Sequence, residues 1–141
     1  MRRNRTSADL DIVLGAVRSF EWFWASNNEM PGLDAFEALS SKDQATVIAT
    51  FEHWGELNLG KHVSETRISE EHVEPKILAA KAGKHRFTMF HAGENLWIVC
   101  RYYQKRKQKL DRNGKITIKL TIEDRKDYLG RVSAGEYYGR S

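Results

Sequence analysis

The chain has 141 residues, of which 40% are hydrophobic and 30% are charged, a composition that fits one globular domain and excludes a disordered chain. No apolar run is long enough to span a bilayer, so we expect no membrane association. Cys100 is the only cysteine, which excludes an internal disulfide and suits a reducing cytoplasm. The N-terminus is basic and then apolar, as in a signal peptide, but Asp9 and Asp11 interrupt its apolar part. We therefore predict a cytoplasmic protein.

The net charge of +4 conceals a separation of charge along the chain. Residues 20–60 carry seven acids and one lysine, whereas residues 76–119 carry twelve Lys or Arg and two acids. Such segregation makes one region attractive to phosphate and another attractive to a basic or apolar partner. The alternative interpretation is that these cations only solvate a surface.

The first predicted element is a short helix over residues 6–16. Ser7 can cap it, and Leu10, Leu14 and Val17 recur at helical spacing.

The next residues, 17–26 (VRSFEWFWAS), predict a strand buried on both faces, because aromatic side chains run through it. Asn27-Asn28 and Pro31-Gly32 indicate a turn after it. Four aromatic residues are assigned to the core and not to a site: Trp22, Phe23, Trp24 and Trp54.

Residues 33–57 predict a helical hairpin that is divided at Ser40 and Ser41. Ser41 can cap the second helix, and Gln44 three residues later would complete a capping box. The apolar face of the two helices is predicted to contain Phe36, Leu39, Ala45, Ile48, Phe51 and Trp54.

Three strands are predicted in the middle of the chain, in the segments PKILAAK, HRFTMF and LWIVCRYYQ. Ala82-Gly83 and residues 92–95 provide turns, so the three form an antiparallel meander. Residues 61–75 before them are polar and predict a loop, with a possible short strand around Arg67 and Ile68. The later segment ITIKLTIEDRKDYL is compatible with a strand or a helix, and SAGEYYGRS predicts a mobile tail.

Cations concentrate on this meander. Lys76 and Lys81 lie on or near its first strand, Lys84 and Arg86 on its second, and five further cations between residues 101 and 109 at the end of its third. Adjacent antiparallel strands bring such residues to one sheet surface. Tyr102 and Tyr103 lie among these cations, and phosphate neutralisation beside aromatic platforms is typical of single-stranded nucleic acid binding. Alternatively, one of these tyrosines belongs to the core and the cations are solvated.

Metal and nucleophile chemistry have little support in the sequence. None of the five histidines forms a metal-ligand pattern, and we predict no metal and no cofactor. Cys100 lies in a strand pattern, which favours a structural role.

The segments PKILAAKAGKHRFTMF, LWIVCRYYQKRKQKLD and EDRKDYLGR together resemble the RelE/HigB-type toxins, most closely their phage-derived branch. The resemblance covers about residues 17–131, in the order strand, two helices, three strands and a terminal segment. It implies an α+β, RelE-like fold with an antiparallel or mixed sheet of about four strands, an N-terminal helical hairpin and a C-terminal helix in ITIKLTIEDRKDYL. Residues 1–141 would then form one domain, with residues 1–16 as a helical extension and 132–141 as a mobile tail.

The resemblance also implies a metal-independent endoribonuclease that cleaves mRNA at the ribosome. Arg86 would stabilise the phosphate, Lys81 or Lys84 would act as base or stabiliser, and Tyr103 with Lys105 or Arg106 would donate the proton and hold RNA. Lys76 is the alternative to Lys81 for the first-strand lysine of the family. Further RNA contacts are expected from a second group of residues: Lys76, His85, Arg101, Tyr102, Arg106, Lys107 and Lys109.

Such a toxin would be held inactive by a cognate antitoxin, often a helix-turn-helix protein. Two alternatives stay open. One is a gyrase-inhibiting, ParE-like relative without nuclease activity, and the other is a non-catalytic nucleic-acid-binding protein of a phage or mobile element.

Overall fold

A computed structural model describes residues 5–57, 68–106 and 111–137. Its strands are β1 (Asp11–Leu14), β2 (Ser19–Trp22), β3 (Ile68–His72), β4 (Ile77–Ala82), β5 (His85–Gly93) and β6 (Leu96–Gln104). Its α-helices are α1 (Pro31–Glu37), α2 (Ser41–Glu56) and α3 (Arg112–Ser133). The strands form one sheet in the order β1-β2-β6-β5-β4-β3, in which β2 and β6 run parallel and the other neighbours run antiparallel.

The α+β class and the mixed sheet are confirmed, but the sheet has six strands within the described residues, against a prediction of about four. The two additional strands, β1 and β3, lie at its two edges. The meander is confirmed as β4, β5 and β6. The loop predicted over residues 61–75 is wrong at Ile68–His72, where the possible strand is confirmed as β3, and residues 61–67 lie outside the described residues.

The predicted N-terminal helix is wrong over most of its length. Only Ser7–Asp9 is helical, as one 3₁₀ turn, and Thr6 rather than Ser7 caps it by accepting a hydrogen bond from the Ala8 amide. The chain then enters β1, which pairs antiparallel with β2. Leu14 is 70% exposed, so the leucine spacing does not mark a buried helical face.

Strand β2 is confirmed as a strand buried on both faces, since Phe20, Glu21 and Trp22 are all buried. After the turn at Asn28, Pro31 begins α1 instead of belonging to the turn.

The division of the helical hairpin is confirmed, with a shift of one residue at the cap. The Ser40 hydroxyl accepts from the Asp43 amide at 3.1 Å, so Ser40 and not Ser41 caps α2. Gln44 donates to the Leu39 carbonyl at 3.1 Å instead of forming a capping box. The face buried by α2 is Val47, Thr50, Phe51, Trp54 and Gly55, whereas the predicted Ala45 is exposed and Ile48 is half-buried.

The sheet separates two layers of helix. Side chains that alternate along β5 show this, because Phe87 and Met89 join the cluster under α1 and α2, while Phe90 joins the cluster under α3. A hydrogen bond of 2.6 Å between the Thr88 and Thr121 hydroxyls ties α3 to the sheet.

The ambiguous segment is helical, as the resemblance implied, and it forms the middle of α3. Asp111 caps this helix by accepting from the Gly114 amide at 2.9 Å. Of the alternating isoleucines, Ile118 is buried but Ile116 is 47% exposed, so the period-two pattern has no role in the packing.

The mobile-tail prediction is wrong as far as Tyr137, and residues 138–141 lie outside the described residues. Tyr137 is 1% exposed, and its hydroxyl accepts a hydrogen bond of 2.8 Å from the Trp24 amide. Arg131 lies over the Tyr137 ring at 4.7 Å, so the end of the chain packs against the region that follows β2.

Candidate nucleic-acid interface

Most of the predicted site residues meet at one end of the sheet. Strand β4 ends there, β5 begins there and β6 ends there, so the cations of all three strands converge. Lys76 is the exception, because it precedes β4 at the opposite end, where its ammonium lies 3.7 Å from Glu70. The remaining two predicted residues, Lys107 and Lys109, lie outside the described residues.

Three of the predicted catalytic residues form one row across the sheet on the face that α3 covers. Arg86 on β5 is directly opposite Lys81 on β4 and Tyr103 on β6. Directly opposite residues share a face, with Cβ atoms about 4.5–5.5 Å apart. The Tyr103 hydroxyl donates to the Glu71 carboxylate, which extends the row to β3. The structure therefore brings a lysine, an arginine, a tyrosine and a carboxylate together.

Arg86 is a buried member of this row, with 9% of its surface exposed. Its Nη1 donates to the Gly83 carbonyl at 2.5 Å and to the His85 carbonyl at 3.1 Å. Gly83 has a positive φ of 61°, so the turn that Arg86 binds suits glycine. Arg86 therefore fixes the β4–β5 turn and places positive charge beside Tyr103.

Tyr103 is a hydrogen-bond donor in this structure. Burial raises the pKa of Tyr103 well above its usual range, and the hydrogen bond to Glu71 raises it further. The positive charge of Arg86 lowers the pKa of Tyr103, but by less than burial and Glu71 raise it. The phenol therefore stays protonated at neutral pH, and its proton is directed at Glu71.

Arg101 lies on the same face and forms an ion pair with a buried carboxylate. Its Nε and Nη2 donate to the two oxygens of Asp124 on α3, at 2.7 and 2.9 Å. The hydrogen bond to Asp124 raises the pKa of Arg101. Burial raises the pKa of Asp124, and the hydrogen bonds and charge of Arg101 lower it. Because the pKa is raised overall, the cost of burying the carboxylate outweighs its attraction to Arg101. Arg101 thus joins β6 to α3, and its RNA contact stays a prediction.

The other face of this sheet end contains a second polar cluster. His85 is buried between Tyr102, whose hydroxyl lies 2.6 Å from Nδ1, and Asp43 of α2, whose carboxylate lies 3.0 Å from Nε2. The ring of Phe87 packs against Tyr102 with ring centres 5.1 Å apart. Tyr102 and Tyr103 are neighbours in a strand, so they point to opposite faces and cannot form one stacking platform.

The rim of the sheet end carries the exposed cations. Lys84 is exposed in the β4–β5 turn, and its carbonyl accepts from the Lys105 amide at 2.8 Å, so the turn and the end of β6 are held together. Arg106 is exposed and lies on a depression of about 380 Å³ that Tyr102, Tyr103 and Gln104 also line. Asn113 and Thr117 of α3 form its other wall.

Three carboxylates in these clusters were missed by sequence reasoning: Asp43, Glu71 and Asp124. Each stands far along the chain from its partner, by 42, 32 and 23 residues respectively. No local pattern connects such pairs.

The remaining histidines and the cysteine have structural surroundings where they are described. His91 Nε2 lies 2.6 Å from the Glu94 carbonyl, and His72 Nδ1 lies 2.8 Å from the Pro75 carbonyl. Cys100 is fully buried, and burial raises the pKa of its thiol, which agrees with the predicted structural role. Within the described ranges, no group of three or more His, Cys, Asp or Glu side chains is placed to hold a metal ion.

No helix in the described part of the chain is both long and apolar enough to cross a membrane. In comparisons with known proteins, no family model matches this chain and no curated protein matches it.

Proposed function

We propose that this protein is the toxin of a type II toxin–antitoxin pair, a metal-independent endoribonuclease of RelE/HigB type that cleaves mRNA at the ribosome. The observation that carries the proposal is the row of Lys81, Arg86 and Tyr103 across three adjacent strands. The exposed Lys84 and Arg106 at the same end of the sheet provide an entry surface for a phosphate backbone.

The chemistry needs no group beyond these residue types. The 2′-hydroxyl of a nucleotide attacks the adjacent phosphorus, and the reaction needs a proton acceptor, stabilisation of the crowded phosphate and a proton donor for the leaving 5′-oxygen. Arg86 is the proposed phosphate stabiliser, and Lys81 or Lys84 is the proposed proton acceptor or a second stabiliser. Lys105, at the end of β6, is the proposed donor, and Arg106 beside it is proposed to hold the RNA.

The order of elements supports the same proposal. Strand β2, the α1–α2 hairpin, the β4–β6 meander and α3 follow one another in the order on which the resemblance rests. Strands β1 and β3 would then be additions at the two edges of such a fold.

The test is to map new RNA ends by primer extension shortly after the protein is induced in cells. We expect cuts within translated regions that disappear in Arg86→Ala. Because Arg86 also fixes a turn, a second variant that replaces Lys105 and Arg106 with alanine must lose the cuts as well. Lys126→Ala removes an exposed cation in the C-terminal half of α3 and should keep them. Cuts that persist both in Arg86→Ala and in the variant without Lys105 and Arg106 would contradict the proposal.

A second function is favoured by the internal pairing of the site. Arg101 is bound to Asp124, Tyr103 donates to Glu71, and Arg86 binds its own turn. A protein that binds nucleic acid without cleaving it would use only the exposed cations of the rim. Its affinity should fall gradually, with a shallower dependence on salt for each cation removed. Growth arrest without RNA cuts would instead support a gyrase-inhibiting, ParE-like toxin.

An antitoxin is part of this proposal, because an uncovered nuclease surface would cleave the RNA of its own cell. The expected partner is a small helix-turn-helix protein that covers the cationic end of the sheet. Co-expression of such a protein from the neighbouring reading frame should suppress both the growth arrest and the RNA cuts, and a neighbour without effect would contradict this assignment.

A further inference from the structure

Glu71 is the carboxylate of the row that crosses the sheet end, and it comes from β3, a strand outside the order of elements on which the resemblance rests. The Tyr103 hydroxyl donates to Glu71 Oε1, and the Ser69 hydroxyl donates to Oε2 at 3.2 Å. A carboxylate offers about four lone-pair sites, so lone pairs remain open after these two bonds. Glu71 is therefore held in place and can still accept a proton.

A β-bulge turns Glu71 towards the face that α3 covers. The register between β3 and β4 shifts between Glu70 and His72, so Glu71 is the extra residue. His72 is opposite Ile77, which packs in the cluster under α3, whereas Glu70 is opposite Leu78, which packs in the cluster under α1 and α2. Glu71 and His72 thus share the α3 face, and Glu70 points to the other. Bulges occur next to active sites, where they re-aim a side chain.

Glu71 opens into a groove between β3 and α3. It is half-buried, and together with His72 it lines one wall of a groove of about 430 Å³ whose other wall is α3. Lys115 and Lys119 are exposed on that wall, with the buried Ile118 beside them. A single-stranded RNA in this groove can reach the carboxylate while the two lysines neutralise its phosphates.

The carboxylate belongs to the same part of the site as the proposed phosphate stabiliser. Arg86 is on the same face of the sheet, and its charge acts on the pKa of Tyr103, whose hydroxyl is bonded to Glu71. Asp111, the cap of α3, also acts on the pKa of Tyr103, so these groups meet at the beginning of that helix. Lys126 is about 20 Å from the first residue of α3 and lies outside this part of the groove.

The lysines considered as proton acceptors are less suited to that task than a carboxylate. An ammonium group has three donors and no acceptor, so Lys81 or Lys84 would first have to lose a proton. A carboxylate accepts a proton directly, and both lysines then serve to stabilise the phosphate charge.

We propose that Glu71 is the catalytic residue that accepts the 2′-hydroxyl proton of a single-stranded RNA in this groove, and that Tyr103 is the positioning residue that holds it; this rests on the nuclease function proposed above. Glu71 takes the proton, and the 2′-oxygen bonds to phosphorus. The bond from phosphorus to the 5′-oxygen breaks, and the Lys105 ammonium, two residues beyond Tyr103 and on the same face, protonates that oxygen. The product is a 2′,3′-cyclic phosphate. Glu71 then gives its proton to solvent, and Lys105 takes one back.

Glu71→Gln tests the acceptor in a purified cleavage assay on ribosome-bound mRNA. The amide oxygen still accepts from Tyr103, but the amide cannot take up a proton. We expect kcat to fall by about 100-fold or more with KM nearly unchanged, as for the loss of a general base. Glu70→Gln is the matched control, one residue away on the opposite face, and should cleave at the wild-type rate.

Two further readouts separate proton transfer from support of the fold. Formate added to Glu71→Ala supplies a carboxylate in the space that the side chain leaves, and it should accelerate cleavage by about tenfold or more. The same formate should not accelerate the wild type or Glu70→Ala. Tyr103→Phe should lower kcat by about tenfold, but it should have little further effect in Glu71→Gln, because Tyr103 acts through Glu71.

The outcomes distinguish this proposal from the nuclease function on which it rests. If the wild type cleaves and Arg86→Ala does not, but Glu71→Gln stays within about threefold of the wild type, Glu71 is not the proton acceptor and the nuclease function stands. If the wild type leaves RNA intact, both proposals fail together. Should Glu71→Gln not fold, the formate experiment on Glu71→Ala decides, and a rate that formate leaves unchanged refutes the role of Glu71.

Discussion

Replacing Arg101 with methionine tests whether this cation joins the sheet to α3 or binds RNA. Methionine keeps most of the apolar stem, so packing against the strand is largely retained. The change removes the guanidinium from Asp124, whose side chain is 8% exposed, and leaves a buried carboxylate without its two donors. We expect a clear loss of folding stability in Arg101→Met.

The size of the loss follows from the geometry. Breaking a buried ion pair by removing one partner costs about 3–5 kcal/mol. The Arg101 side chain is 26% exposed, so water already screens part of the interaction, and we expect about 2–3 kcal/mol. At about 2 kcal/mol per M of urea, the unfolding midpoint should fall by about 1–1.5 M.

The double variant Arg101→Met with Asp124→Leu supplies the matched control. Exchanging a whole buried ion pair for apolar side chains is often neutral, so the double variant should unfold within about 1 kcal/mol of the wild type. If Arg101→Met alone unfolds within about 0.5 kcal/mol of the wild type, the structural role assigned to this pair is wrong. If the double variant is stable but its RNA affinity falls by about tenfold or more, Arg101 also contacts RNA, as the sequence predicts.

Three other changes should have defined effects. Because the folded-state pKa of Tyr103 is raised above its usual value of 10.0, its stability contribution is complete below about pH 10 and falls as pH rises further, by at most about 1.4 kcal/mol per pH unit. Urea unfolding of Tyr103→Phe should show a weaker loss above that pH, and an equal loss would contradict the assignment. Gly15→Ala should lower the unfolding free energy by about 1–3 kcal/mol, since a Cβ would lie 2.6 Å from the Gly55 carbonyl oxygen; an unchanged midpoint would refute that close approach. Tyr137→Phe should cost about 1–3 kcal/mol by removing the acceptor of the Trp24 amide, and hydrogen exchange at that amide should accelerate; unchanged exchange would count against it.

Local patterns were sufficient for the central elements of the fold and insufficient for its edges. The β4–β6 meander has short apolar runs separated by turn residues, and α1 and α2 have helical spacing with a serine between them. The four-residue spacing of Leu10 and Leu14 predicts a helix where the chain forms β1. The four residues of β1 form a strand because they pair with β2, and their own spacing does not predict that pairing.

The local pattern of the α3 segment is also insufficient to assign its secondary structure. Its isoleucines alternate like a strand, and the residues alone left strand and helix open. The Asp111 cap, which bonds the amide three residues later, is a local signal for a helix, and the burial of Thr117, Ile118 and Thr121 against the sheet is the tertiary one. The resemblance implied the helix where periodicity could not.

For the candidate site, the sequence indicated where the cations lie but not how they are paired. The meander alone required Lys81, Arg86 and the end of β6 to come together. Whether a given cation can bind phosphate depends on the partner it already has: Asp124 reaches Arg101 through the packing of α3, and Arg86 binds carbonyls of its own turn. Strand alternation then separates Tyr102 from Tyr103, so what reads as one aromatic pair in the sequence belongs to two different clusters.

The separation of charge along the chain has a physical consequence for function. A core strand can continue into a dense group of cations because the fold gives the less exposed ones polar partners: Arg101 pairs with Asp124 of α3, and Arg86 binds the carbonyls of its own turn. Asp43 belongs to the acidic region of residues 20–60 and reaches His85, and α3 supplies Asp124 to Arg101. The exposed Lys84 and Arg106 then present positive charge at the rim. Salt should therefore weaken RNA binding through the rim, where ions screen freely, and leave the Arg101–Asp124 pair and the fold nearly unaffected. If moderate salt unfolded the protein as readily as it released RNA, the Arg101–Asp124 pair would be far more solvent-accessible than its burial indicates.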